Sequence, residues 1–301
     1  MTPAAQKQAA HPRVKTPGTT EVAEEQISVR IGGSCHPGSA GGGPYLLSVP
    51  PVKRLEKCEA RVLAWPEKLG GGTRAFIKLY TQRPRRIASQ GVRTSIRVCR
   101  EFDRLKSLEQ VGVSCTRPLF WGRGESPKRG RVEVLATRQV EGAEPLRQAL
   151  RERAALVDEL DWKQLLAEVT AMHAAGVQHG ALSPKNVLID RERRFYLCDL
   201  ASSMRYPAPI GDTRMALFDL VHLFEGLGKL LGTERCKTIL LEGTEDRDLT
   251  ERVLKKAAGY RRRQVFQHQR LRAEFHLRNL WAWRGAEDPQ LPCYGRSGDE
   301  G

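Results

Sequence analysis

The stretch from Gly176 to Asp199 constrains the fold more than any other part of the sequence. It reads "GVQHGALSPKNVLIDRERRFYLCD" and begins at the end of an amphipathic helical segment, "DWKQLLAEVTAMHAAGV". The segments "NVLID" and "FYLCDLAS" predict a short strand pair around the turn "RERR". This hairpin would place Asn186 and Asp199 at neighbouring strand ends. A neutral amide oxygen beside a carboxylate suits Mg²⁺ held against phosphate groups.

The order of the elements indicates an α+β protein with two lobes. Strands at "YLLSVPP", "CEARVLAWP" and "AFIKLY" precede one helix, "TSIRVCREFDRLKSLEQVGV", and two more strands and then mostly helices follow. We place a β-rich first lobe at residues 45–140 and a larger helical lobe at residues 141–285. Residues 1–44, which mix Gly, Pro, Ser and charge, are predicted to be a disordered or low-complexity segment, and residues 286–301 to form a flexible tail.

Lys78 lies in the apolar strand "AFIKLY", where it shares one face with Phe76 and Tyr80. A lysine that points inward from such a strand needs an anionic partner, because an unpaired buried charge is costly. Glu101, in the helix that follows, can supply this carboxylate. The alternative is that Lys78 faces solvent from the polar side of the strand.

The motif "HGALSPKNVLI" resembles the catalytic loop of the protein-kinase-like superfamily, HxDxxxxN, and "CDLAS" stands where that superfamily carries its DFG motif. Together with "REFDRLKSLEQVGVSCTRPLFWG", these motifs are most similar to the Kdo/heptose lipopolysaccharide kinase family. The resemblance covers roughly residues 50–232. Aminoglycoside phosphotransferases share the loop, but their first lobe matches less well. The resemblance implies a two-lobed protein-kinase-like fold.

The resemblance also implies ATP and Mg²⁺ as cofactors, and a role for each motif residue. Lys78 would bind the α- and β-phosphates with Glu101 as its ion-pair partner. Asn186 and Asp199 would bind the magnesium ion.

Further positions are carried over from the family in the same way. Ala136, Thr137 and Gln139, in "ATRQVEG", would form the hinge that lies along the adenine. His179 would be a structural residue of the catalytic loop. Asp219, in the helix "DTRMALFDLVHLFEGLGKLLG", would anchor the backbone of that loop, and a solvent-facing carboxylate is the alternative there. Asp212 is the predicted N-cap of this helix.

Two departures from the family pattern shape the functional hypotheses. No glycine-rich loop is recognisable in "VKRLEKCEARVLAW", and the triple glycine at residues 70–72 indicates a hairpin turn. Ala181 occupies the position of the catalytic aspartate, and a methyl group cannot accept a proton. Loss of a general base typically lowers a rate by about 10²- to 10⁴-fold. Ser183 and Lys185 are close in sequence, but neither is an obvious base.

Two functions therefore stand as alternatives. The first is an ATP-dependent kinase, impaired by Ala181, that acts on a sugar or anionic glycolipid acceptor at the cytoplasmic face of the inner membrane. The second is an inactive pseudokinase that serves as a binding module.

The amino-acid composition limits the kinds of partner that the chain can bind and the cellular compartment in which it is expected. The formal net charge of +15 fits either a lysine- and arginine-rich surface or attraction to polyanions. No nucleic-acid partner is expected, because aromatic residues make up only 6% and no nucleic-acid-binding motif is recognised. No apolar run is long enough to span a bilayer, and no secretory signal is expected from the polar, proline-rich N-terminus. The seven cysteines are scattered without a CxxC pair, which favours a cytoplasmic location.

Overall fold

The computed structural model describes residues 25–34, 45–49, 53–54, 58–64, 74–81, 96–126 and 130–258. The triple-glycine turn, the basic segment from residue 260 onward and the predicted tail lie outside the described residues.

The smaller lobe is a seven-stranded antiparallel sheet with one helix. Its strands are β1 (Glu25–Ser34), β2 (Tyr45–Val49), β3 (Lys53–Arg54), β4 (Cys58–Ala64), β5 (Arg74–Thr81), β6 (Pro118–Ser126) and β7 (Gly130–Arg138). They are arranged in the order β2-β1-β6-β7-β5-β4-β3. Helix α1 (Ile96–Gln110) packs on β6 and β7 through buried Phe102, Leu105 and Leu108.

Strand β5 shows the alternation that its sequence predicts. Ala75, Ile77 and Leu79 have no exposed surface, whereas Lys78 lies on the opposite, partly exposed face. A strand turns successive side chains to opposite faces, so the apolar residues join the core while Lys78 remains available to a polar partner.

Strand β1 corrects the prediction of disorder for residues 1–44. Residues 25–34 pair with β2 on one side and with β6 on the other. The segment "ISVRI" alternates apolar and polar residues, which is a strand pattern that the surrounding glycines and prolines obscured. The prediction was therefore wrong for residues 25–34, and the remainder of residues 1–44 lies outside the described residues.

The larger lobe is mainly helical, and the chain has the two-lobed protein-kinase-like fold. Its helices are α2 (Leu146–Glu152), α3 (Trp162–Ala174), α4 (Arg214–Leu231), α5 (Thr233–Thr244) and α6 (residues 247–258). Its short strands are β8 (Glu144–Pro145), β9 (Val177–Gln178), β10 (Val187–Ile189), β11 (Phe195–Leu197) and β12 (Met204–Arg205). They form the sheets β11-β10-β8 and β12-β9. The apolar faces of α3, α4 and α5 share one core with β10 and β11.

Two local predictions in this lobe were wrong in detail. Thr213, not Asp212, caps α4, because its Oγ1 accepts from the backbone N–H groups of Met215 and Ala216. The strand predicted for "FYLCDLAS" ends at Leu197, and a 3₁₀ turn follows at Leu200–Ser202.

The segment between α1 and β6 ties the two lobes together. Ser114 donates to Glu168 of α3 through both its backbone N–H (2.7 Å) and its hydroxyl (2.6 Å). Thr116 N donates to Leu197 O at 3.0 Å, and Leu197 N donates to Ser114 O at 2.9 Å. This segment therefore extends the β11-β10-β8 sheet and holds the smaller lobe next to the hairpin that ends at Asp199.

None of the helices that the structure describes is long and apolar enough to cross a membrane.

Candidate functional site

Lys78, Glu101 and Asp199 meet between the two lobes. Lys78 Nζ lies 2.8 Å from Glu101 Oε1 and 2.9 Å from Asp199 Oδ1. The Glu101 side chain is 1% exposed and that of Lys78 is 14% exposed, while that of Asp199 is 42% exposed. The predicted Lys78–Glu101 pair is therefore present, and its Asp199 end opens toward solvent.

The charges of the three groups stabilise one another. Burial alone would lower the pKa of Lys78, but the facing Glu101, Tyr80 and Asp199 outweigh it and raise the pKa well above its ordinary value. Burial raises the pKa of Asp199, and the attraction of Lys78 more than reverses this, so the pKa is lowered overall. Lys78 is thus an ammonium and Asp199 a carboxylate at neutral pH.

The β10–β11 hairpin places Asn186 and Asp199 together, as its sequence predicts. Val187 pairs with Leu197 in the antiparallel ladder, and Cys198 N donates to Asn186 O at 3.1 Å. The Asn186 side chain is nearly buried and donates through Nδ2 to Ala181 O at 2.8 Å. Its amide oxygen is therefore the atom left to act as a ligand.

Asp199 has a left-handed backbone conformation, with φ 63° and ψ 56°. This region is uncommon for residues other than glycine, although aspartate and asparagine tolerate it best. The conformation ends the extended backbone after β11 and begins the Leu200–Ser202 turn. Strain of this kind concentrates at functional sites, where surrounding contacts such as the Lys78 ion pair hold it in place.

Asp219 anchors the backbone of the loop that follows β9. It is fully buried, and its Oδ2 accepts from His179 N at 2.7 Å while its Oδ1 accepts from Gly180 N at 2.9 Å. His173 Nε2 lies 3.1 Å from the same Oδ2. The predicted anchoring geometry is present, and the solvent-facing alternative is excluded.

Gly180 cannot be replaced by a larger residue without moving this loop. Its φ is +73°, and a Cβ at this position would lie 2.5 Å from the carbonyl oxygen of Ser202. The loop therefore approaches the turn after Asp199 more closely than a side chain allows.

His179 is buried inside the loop and contacts its neighbours rather than the cleft. Its Nε2 lies 3.0 Å from Cys198 O and so donates to this carbonyl, whereas Nδ1 has no hydrogen-bond partner among the residues described. Burial lowers the pKa of His179 despite the opposing charges of Asp219 and Asp199. The geometry agrees with the structural role that the resemblance implies.

Ala181 is partly exposed, and its methyl group offers no acceptor where the family pattern has a carboxylate. Ser183 is buried, and its hydroxyl has no hydrogen-bond partner within the described ranges. Lys185 is exposed, and its charge contributes to the lowered pKa of Asp199. The hydroxyl of Ser183 does not replace the carboxylate, since a serine hydroxyl is a very weak base.

The predicted hinge begins inside the sheet. Ala136 pairs with Ile77 on β5 and with Phe120 on β6, and Thr137 is likewise flanked by both strands. The backbone N–H and C=O groups of Ala136 and Thr137 are therefore used in the hydrogen bonding of the sheet. Gln139 N donates to Arg74 O at 2.8 Å. The contact of these residues with an adenine stays a prediction.

Sequence reasoning missed three contacts of the site. The Lys78–Asp199 ion pair and the His173–Asp219 contact join elements far apart in sequence, and no local pattern signals them. The third is Tyr80, whose hydroxyl donates to Glu101 Oε2 at 3.3 Å. The strand alternation could have found it, because Tyr80 shares a face with Lys78.

The two-lobed fold, the Lys78–Glu101 pair and the anchored loop define a protein-kinase-like protein. The model of the lipopolysaccharide kinase (Kdo/WaaP) family matches residues 55–213, which is more than half of the chain. The chain belongs to this family.

Two solved structures are similar to the chain at low sequence identity. One is WaaP in complex with acyl carrier protein, with 18% identity, coverage of 75% of this chain and 89% of that chain, and a TM-score of 0.49. The other is the kinase domain of a Toxoplasma gondii specific rhoptry antigen, with 11% identity, coverage of 78% of each chain and a TM-score of 0.43. No curated protein shows significant similarity to the chain.

Proposed function

We propose that this chain binds ATP with Mg²⁺ and transfers the γ-phosphoryl group, at a rate limited by Ala181, to a sugar hydroxyl. The observation that carries the proposal is the ion pairing of Lys78 with both Glu101 and Asp199 between the lobes. Phosphoryl transfer relies mainly on positioning and electrostatic stabilisation, for which these groups are suited.

The donor set fits a magnesium ion that is shared with a nucleotide. Asn186 keeps its amide oxygen, because its Nδ2 is used by Ala181 O, and Asp199 keeps Oδ2, because Lys78 bonds to Oδ1. One carboxylate and one amide are too few for an all-protein cage but are typical of Mg²⁺ that takes further ligands from phosphate and water. When bound, the ion would neutralise charge on the phosphate oxygens.

Each side chain has a defined task in this proposal. Lys78 would exchange its bond with Asp199 for the nucleotide phosphates, while buried Glu101 keeps its ammonium in place. Asp219 holds the backbone of the loop on which the acceptor hydroxyl would lie. Ala181 takes no proton from that hydroxyl, so we expect a rate about 10²- to 10⁴-fold below that of a chain with a general base.

An inactive pseudokinase is the second candidate, and Ala181 is the observation that favours it. Such a chain would bind nucleotide, or a partner, without turnover. The retained Lys78, Glu101, Asn186 and Asp199 argue for residual chemistry, since a scaffold has no chemical need for this set.

Family membership and charge support a proposal for the acceptor. We propose a sugar of an anionic glycolipid, presented at the cytoplasmic face of the inner membrane to a protein whose formal net charge is +15. A cytoplasmic location and the absence of a nucleic-acid partner belong to the same proposal.

The test is transfer of labelled phosphate from ATP to a Kdo-containing glycolipid, measured beside an Asp199→Ala variant. We expect slow transfer by the native chain and none by the variant. Equal background in both would reject catalysis. An increase in Tm with ATP and Mg²⁺ in the native chain would then support a pseudokinase that binds nucleotide. No increase would exclude nucleotide binding and leave only a pseudokinase that binds a partner.

A further inference from the structure

Helix α4 runs alongside the loop that carries Ala181, and two hydrogen bonds fix their alignment. Gln178 Nε2 donates to Met215 O at 3.4 Å. Gly180 N donates to Asp219 Oδ1 at 2.9 Å, one helical turn further along α4. The loop and the helix therefore advance side by side in the same direction.

The alignment continues to the end of the loop. A Cβ at Gly226 would overlap the ring of Pro184, so the helix and the loop are in close contact there as well. His222 lies three residues after Asp219 and four before Gly226, and this spacing places all three residues on one face of a helix. Loop residues 181–183 lie between the two contacts. His222 therefore lies on the face of α4 that meets the loop where the family pattern has its carboxylate.

His222 differs from the other histidines of the site in its exposure. Of the histidines that the structure describes, His173 and His179 are buried, whereas His222 is partly exposed. His173 contacts Asp219, and His179 donates to the carbonyl of Cys198. His222 is therefore the imidazole that a molecule from solvent can reach.

The groups that face His222 keep its imidazole neutral at pH 7. Burial lowers the pKa of His222 below its ordinary value, and His179 and Lys185 on the loop act in the same direction. Asp219 and Glu225, on the same helix as His222, oppose this effect without reversing it. A neutral imidazole has one nitrogen that can accept a proton.

We propose that His222 accepts the proton of the acceptor hydroxyl in place of the carboxylate that Ala181 lacks. The inference rests on the proposed function, and it accounts for the slow transfer expected there. The hydroxyl oxygen forms a bond to the γ-phosphorus while its proton passes to an imidazole nitrogen of His222. The bond from that phosphorus to the oxygen of the β-phosphate breaks, and ADP leaves with the electron pair. The imidazolium then releases the proton to solvent, which its partial exposure allows.

The test compares His222→Gln in two backgrounds, the native chain and Ala181→Asp. Glutamine keeps a polar side chain but is not a base at neutral pH. In the native background, we expect transfer of labelled phosphate from ATP to a Kdo-containing glycolipid to fall by about tenfold or more. In Ala181→Asp, the same change should alter the rate by less than about twofold, because the new carboxylate takes the proton. Equal losses in both backgrounds would show a structural role and overturn the inference.

A pH profile tests the same role with His222 intact, so it does not depend on the folding of His222→Gln. The native rate should decline as the pH drops below the ordinary histidine pKa of 6.5, because a protonated imidazole accepts no further proton. In Ala181→Asp the decline should move toward the ordinary aspartate pKa of about 3.9. Tm at each pH shows that both chains remain folded. A decline at the same pH in both chains belongs to another group and overturns the inference.

Failure of this inference and failure of the proposed function give different results. No transfer by the native chain rejects both. Transfer by the native chain that His222→Gln leaves unchanged rejects the role of His222 and keeps the proposed function. Arg214→Gln is the control on the same helix, since Arg214 is exposed in the first turn of α4, eight residues before His222. It should transfer phosphate at the native rate, and a loss equal to that of His222→Gln would overturn the inference.

Discussion

The ammonium of Lys78 lies 2.9 Å from the carboxylate of Asp199, across 121 positions of sequence. This ion pair joins β5 of the smaller lobe to the hairpin of the larger one, while the same ammonium bonds to Glu101 on α1. One cation therefore links both lobes, at the position that the proposed function assigns to a nucleotide's phosphates. The Lys78 ammonium is partly exposed on the side that faces Asp199. An anionic ligand can therefore replace Asp199 as its partner on that side.

Asp199→Asn is expected to abolish the Mg²⁺-dependent part of any ATP-induced rise in Tm. The amide keeps the shape of the side chain but removes the charge that would hold the ion. Tm is measured with ATP in EDTA and with ATP and Mg²⁺. Asp161→Asn, at the N-cap of α3, is the control, since asparagine caps helices as well as aspartate does. An undiminished Mg²⁺ effect in Asp199→Asn would contradict the assignment.

Ala181→Asp is expected to raise the rate of phosphoryl transfer by about 10²- to 10⁴-fold, because it supplies a proton acceptor in the loop that Asp219 anchors. Ala181→Asn is the matched control, with similar size but no basic oxygen. The rates are measured under single-turnover conditions. If the two variants transfer equally fast, the missing carboxylate does not limit the native chain.

Asp219→Asn is expected to lower the free energy of unfolding by about 1–3 kcal/mol, since one buried N–H group of the loop loses its acceptor. His179 N and Gly180 N use different oxygens of Asp219, and an amide has only one oxygen to offer. Urea denaturation measures the change. Asp248→Asn, on the exposed face of α6, should change stability by about 0.5 kcal/mol or less. Equal effects of the two substitutions would refute the anchoring role.

Gly226→Ala is expected to destabilise the protein by about 1–3 kcal/mol and to move the loop that contains Pro184. A Cβ at Gly226 would lie 2.4 Å from Cδ of Pro184, whose ring has little freedom to move. Gly228, on the same helix, has no atom within 4 Å of a built Cβ, so Gly228→Ala should be neutral or stabilising by up to about 1 kcal/mol. Thermal denaturation of both variants measures the difference in their stability. Loss of stability in Gly228→Ala alone would contradict the predicted clash of Gly226→Ala with Pro184.

Stability is expected to fall as the pH drops below the ordinary histidine pKa of 6.5. Burial lowers the pKa values of His179 and His222 in the folded state, so the unfolded chain binds more protons in this range. The loss should continue until the pH passes the folded-state values. Urea denaturation between pH 5 and 7 in steps of about half a unit measures the slope. His179→Gln should flatten it, and an unchanged slope would show that His179 titrates normally.

The sequence predicted much of this site because several of its parts are locally encoded. Alternation in "AFIKLY" placed Lys78 on one face with Phe76 and Tyr80, and helical spacing before and after Glu101 placed that residue on α1. The hairpin between Asn186 and Asp199 followed from two short apolar runs around a charged turn. The strand at residues 25–34 was missed, because its brief alternation lies within a glycine- and proline-rich segment.

What the sequence by itself determined is the identity and local placement of the functional groups, including the absence of a carboxylate at Ala181. Only the tertiary structure decided which of these groups touch: Lys78 with Asp199, and His173 with Asp219. The physical reason is that local periodicity depends on neighbours in sequence. Contacts between charges depend instead on how two lobes pack, which no short stretch of the chain encodes.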